Sequence, residues 1–91
     1  DIDPSLNTVE TAISTEGSEY LVQILNPESA ANGYEVQISE NQDFSDPLSV
    51  DIDPSGTAVF RIDEDRVFTR ARMLIDPFTV SAFGPTAQST K

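Results

Sequence analysis

Two copies of Asp-Ile-Asp-Pro-Ser, at residues 1–5 and 51–55, are the nearest thing to a chemical motif in this chain. In an extended backbone, Asp1 and Asp3, or Asp51 and Asp53, project from one face of a strand. Paired carboxylate oxygens are hard ligands of the kind Ca²⁺ takes. Asp51 and Asp53 are therefore the metal candidates, although neither copy has the full ligand spacing of a calcium loop. The competing reading is conformational. The residue before proline is pushed to extended geometry, so Asp-Pro ends a strand, and Ile75-Asp76-Pro77 repeats the device. The copies are too short to establish a duplicated domain. Asp63-Glu64-Asp65 reads either as a further ligand set or as a solvated acidic turn.

Other chemistry has little to stand on. The chain has no histidine and no cysteine, and its one lysine is Lys91. No serine sits in a Gly-x-Ser-x-Gly turn, and no base is at hand to activate one. A carboxylate pair could serve a glycosidase, but 91 residues leave little room for the cleft. All four glycines fall in turns, so no phosphate-cradling loop is expected. We expect no enzyme and no cofactor.

Charge is distributed unevenly. The first 60 residues hold twelve carboxylates and no lysine or arginine; the last 31 hold Arg61, Arg66, Arg70, Arg72 and Lys91 against four acids. The net charge of −11 repels phosphates and anionic lipid, which argues against nucleic acid and membrane partners. No apolar run approaches the roughly 18 residues of a membrane span, and no signal peptide is seen. The chain opens on Asp1 rather than methionine, which reads as removal of something upstream. Without cysteine there is no disulfide and no thiolate metal site.

The elements that must position these residues are strands. Tyr34, Val36 and Ile38 alternate with Glu35, Gln37 and Ser39; Leu48, Val50 and Ile52 alternate with Ser49, Asp51 and Asp53. Such a period of two marks half-buried antiparallel strands. Asn-Pro, Asn-Gly, Asp-Pro, Ser-Gly and Gly-Pro pairs punctuate the runs. Strands are predicted near 9–13, 19–25, 33–39, 48–53, 57–62, 67–75 and 78–83. Residues 63–67 form a loop or one helical turn. Seven short strands with regular turn signals make an all-β, seven-stranded antiparallel β-sandwich. The predicted organisation is a polar N-terminal arm at 1–8, a sandwich domain at 9–85 and a polar tail at 86–91.

The segment Tyr34–Ser39 resembles the third strand of fibronectin type III domains, which reads Tyr-x-Val-x-Ile/Val after a polar turn. Thr69–Met73 resembles the family's penultimate strand, and Val80–Pro85 followed by Gln88-Ser89-Thr90 its closing one. The resemblance spans roughly residues 9–91. It departs from the family at two places: no tryptophan stands near Gln23–Leu25, and Phe68 stands where a corner tyrosine would donate its hydroxyl. Another immunoglobulin-like topology fits equally. There is no Arg-Gly-Asp tripeptide, so adhesion through it does not carry over. The resemblance implies a binding or spacer module rather than chemistry.

Arg70 and Arg72 face outward, one strand from Glu35. They either form cross-strand ion pairs or, with Arg61 and Arg66, a basic stripe for the acidic face of a neighbouring copy. Phe44, Phe78 and Phe83 look exposed. Phe44 is a contact anchor or a plug over the open end of the sandwich, and Leu74 on an outward face marks a covered patch or a bulge. Two roles compete. One is a decoration or cement subunit of a phage capsid or similar assembly, partnered by neighbouring subunits or a major capsid protein, in a virion. The other is a module excised from a larger extracellular or cell-surface chain. A carbohydrate-binding module would need coplanar exposed aromatics on a strand, which are lacking.

Overall fold

Alternation along each strand decides which side chains the two sheets enclose. The computed structural model describes residues 1–90. Its strands are β1 (Thr11–Glu16), β2 (Glu19–Ile24), β3 (Gly33–Ser39), β4 (Leu48–Ile52), β5 (Thr57–Arg61), β6 (Arg66–Asp76), β7 (Thr79–Val80) and β8 (Ala87–Thr90). One sheet has the order β1-β2-β5; the other runs β4-β3-β6-β7, with β8 also on β6. The chain crosses between sheets so that β5 lies beside β2 and β6 beside β3, in Greek-key fashion, and all the strand pairs are antiparallel.

The core sits between the sheets. Tyr20, Val22 and Ile24 of β2 meet Tyr34, Val36 and Ile38 of β3, with Ala58, Phe60, Val67, Ala71 and Met73 around them. Burying each of the larger side chains contributes about 1.5–3 kcal/mol. Both tyrosines keep their hydroxyls satisfied. Tyr20 donates to the Glu64 carbonyl at 2.6 Å, and Tyr34 accepts from the Glu28 amide at 2.9 Å. A hydroxyl from β2 thus ties the β5–β6 turn.

The closing path differs from the sequence expectation in two ways. Strand 78–83 shrinks to Thr79–Val80, because a register shift between Leu74 and Asp76 breaks the ladder. The chain then continues along β6 irregularly: Ser81 and Gly84 donate to the Met73 and Ala71 carbonyls. Residues 87–90, expected within a polar tail, form β8 and pair with Arg66–Thr69. An eighth strand therefore stands among the described residues. Gly84 is required by close approach, since a Cβ there would lie 1.7 Å from the Val9 carbonyl oxygen. At the other terminus, within the expected arm, Asp3 donates to the Val80 carbonyl and Val80 to that of Asp1. Leu6 packs against the core. Residues 63–65 are a loop, and 66–67 already belong to β6.

Candidate functional site

Along β6, Val67, Thr69, Ala71 and Met73 are buried, so the residues between them must point outward. The register sets Arg72 opposite Glu35 and Arg70 opposite Gln37. Arg72 Nε donates to Glu35 Oε1 at 2.6 Å, and the other carboxylate oxygen accepts from Ser49 Oγ at 2.8 Å. Arg70 Nε donates to Gln37 Oε1 at 2.9 Å. The guanidinium of Arg70 lies against two rings, 4.3 Å from the centroid of Phe44 and 4.2 Å from that of Phe83. Phe83 is shared, with Arg72 4.7 Å from its centroid. The result is a run of ring–cation contacts that links Phe44, Arg70, Phe83 and Arg72. Each ring–cation contact attracts through the quadrupole of the ring.

Phe44, which looked exposed in the sequence, is buried: it lies on the outer face of the five-strand layer, against Arg70. Positive φ at Phe44 (57°) and Asp46 (48°) turns the β3–β4 loop back onto that face. The remaining arginines stand apart from this run. Arg66 lies 5.6 Å from the ring of Phe68, and Arg61 reaches Glu19 at 3.3 Å with its side chain 83% exposed. An exposed pair of that kind contributes little. The role of Phe83 as the shared ring carried no sequence signal beyond its aromatic type.

The β6–β7 end is organised differently. Asp76 Oδ1 accepts from the Phe78 amide at 2.8 Å, fixing a two-residue turn with Pro77 in front. The turn leaves Phe78 77% exposed. Beside it, Leu74, Val80, Ile52 and Pro77 line an open groove of about 430 Å³ with Asp51 and Asp76 at its margin. Leu74 stands at the irregularity in the ladder and lines this open groove. The β2–β3 and β4–β5 connections arrive at the same end, where Leu25 and Ile2 are also exposed.

The aspartates have conformational work. In Asp3-Pro4-Ser5 and Asp53-Pro54-Ser55, Oδ1 accepts from the serine amide two residues on and from its hydroxyl. Asp43 accepts likewise from the Ser45 amide. These serine bonds hold the Asp3, Asp43 and Asp53 carboxyls below the ordinary aspartate range. Asp51 lies opposite Glu35 on β4. Among the described residues no group of three or more potential ligands gathers for a metal. Glu64 is shifted the other way, raised first by its hydrogen bond with the Glu40 carboxyl and then by the charge of that group.

No family model matches the chain, and no curated protein matches it in sequence. Among solved structures it is similar to the selenomethionine-substituted chicken interferon gamma receptor alpha chain. The TM-score is 0.71 at 13% identity, over 91% of this chain and 50% of the receptor chain. The chain thus spans about half the length of that receptor. It is also similar to a computationally redesigned β-sandwich protein, with a TM-score of 0.66 at 15% identity, over 94% of this chain and 88% of that one. These likenesses, with the two-sheet order, make the fold a fibronectin type III-like β-sandwich.

Proposed function

We propose that this domain is a non-enzymatic binding module of an extracellular or cell-surface protein, and that it meets a protein partner with the end carrying the β6–β7 turn. The observation behind this is the exposure of Phe78, 77%, on a hydrogen-bonded turn beside an apolar groove. Loops on a rigid sandwich are the usual place for recognition, and buried aromatic anchors dominate contact energies. Asp51 and Asp76 at the margin favour a partner with an apolar centre and a cationic rim. The likeness to a receptor chain supports the module reading. A capsid decoration role rests on composition alone.

The test is a surface-binding screen against a panel of purified extracellular domains. Partners of the wild-type domain should bind Phe78→Asp about tenfold or more weakly. They should bind Ser14→Asp unchanged, since Ser14 is exposed on β1, away from the Phe78 turn. Partners indifferent to Phe78→Asp would overturn the placement. A domain that binds none of the panel and assembles only with itself in light scattering would overturn the module reading.

A further inference from the structure

The sandwich is lopsided. On one flank β1 lies against β8. On the other, the edge strands are β4 and β5. Leu48 and Val50 pair with Ile38 and Val36, so all four side chains share the core-facing side of their sheet. Ile38 and Val36 are buried, yet Leu48 is 54% and Val50 40% exposed. The cause is topological: the second sheet ends at β5 and puts no strand beneath β4. The outer edge of β5 also presents backbone groups with no neighbouring strand among the described residues. A cavity of about 210 Å³ opens on this flank. Ile38, Leu48 and Ile62 supply its apolar walls, and Glu40, Asp46 and Glu64 its carboxylates.

We infer that this flank accepts an extended strand of a partner protein, paired onto β5, whose inward face carries apolar side chains beneath Leu48 and Val50 and then, two residues further along that same face, a lysine or arginine toward Glu40, Asp46 and Glu64. Three observations carry it. One strand added to β5 lies a single strand spacing away, about 4.8 Å, which is the position missing below β4. Main-chain bonds to the edge would supply affinity and alternate side chains specificity. Neither ion pair formed among the described residues involves the three carboxylates. The hydrogen bond with Glu40, and after it the charge of that group, raise Glu64, a crowding of carboxyls that a partner's cation would relieve. Pairing of β4 with β4 of a second copy fits less well: it would extend the wrong sheet, leave the cavity unfilled and bring together two chains of net charge −11.

The probe is a synthetic peptide of about seven residues in which threonine alternates with valine, valine and lysine on the other face, titrated into isotope-labelled domain and followed by NMR. Expected are slowed amide exchange within Thr57–Arg61 and methyl shifts at Leu48, Val50 and Ile62. A block peptide of the same composition should bind about tenfold more weakly, and so should the alternating peptide to Val50→Lys, whose thermal melt should be unchanged. Equal binding of the block peptide would reduce the effect to charge attraction and overturn the inference. So would shifts confined to the Phe78 turn, no binding at millimolar peptide, or a dimer in sedimentation that already covers the flank. Loss of Phe78 recognition leaves this flank untouched, so the two proposals fail separately.

Discussion

The outer face of β6 and the turn that follows it belong to one continuous stretch of chain, yet they dispose of their side chains in opposite ways. Along Phe68–Arg72 every outward group is engaged: Arg72 with Glu35, Arg70 with Gln37, Phe44 and Phe83, and Phe68 with Arg66. Beyond the irregularity at Leu74, Phe78 projects with nothing over it. A row of arginines is therefore no index of a free surface. The cations of Arg70 and Arg72 are already covered by rings and acids of the same domain, whereas a single phenylalanine on a fixed turn is available.

That contrast predicts that damage to the first region lowers stability and damage to the second lowers only recognition. The largest effect is expected from Gly84→Ala. The new methyl would collide with the backbone of Val9, displacing the segment that carries Phe83, and should destabilise by about 3 kcal/mol or more in denaturant melts. Next come Arg70→Ala and Arg72→Ala, each expected to lose about 2 kcal/mol. The first gives up two ring contacts and a hydrogen bond; the second leaves the half-buried Glu35 without its cation. Phe78→Ser should move the same melts by less than about 0.5 kcal/mol.

Tyr20→Phe sharpens the comparison away from both regions. Removing the hydroxyl bond to Glu64 should cost about 1 kcal/mol in the same melts. Burial raises the Tyr20 hydroxyl above its ordinary value of 10, assisted by Asp65 and Glu64. Its neutral form thus stabilises the fold below pH 10, and this share is lost as pH rises through the raised value. The phenylalanine variant should lack that alkaline loss.

The smallest effect is a pair of opposite pH dependences. Asp3, Asp43 and Asp53 have lowered folded values, so their share of stability is present above the ordinary 3.8 and is lost as pH falls through those lowered values. Glu64 has a raised folded value, so its share is full at low pH and disappears as pH rises through it. Melting temperature against pH should accordingly show Glu64→Gln gaining on wild type at neutral pH. The difference should close below the ordinary glutamate value of 4.5.

Much of the sandwich was legible because alternation is a local property. Tyr34–Ser39 and Leu48–Ile52 can be placed from their period of two, and the pairing of Arg70 and Arg72 with residues of β3 follows once those strands are neighbours. What was illegible depends on non-local events. Ala87–Thr90 has no apolar alternation and becomes a strand only because β6 runs on past its partners to offer an edge. Phe44 lies against Arg70 because two positive φ angles reverse its loop. Leu48 and Val50 carry a core pattern, and only the strand order of the opposite sheet reveals that nothing lies beneath them. Asp53 was read both as a ligand and as a strand end; the structure shows its oxygen in the Ser55 turn.

The closure of the arginine face is the claim on which the comparison turns, and chemical modification tests it most directly. Native protein treated with an arginine-specific dicarbonyl reagent and mapped by peptide mass should react quickly at Arg61, whose side chain is 83% exposed. Arg72, at 26%, and Arg70, held against two rings, should react slowly until the domain is denatured. Equal, fast modification of Arg61, Arg70 and Arg72 in the native state would contradict the account and return the arginine row to the list of open contact surfaces.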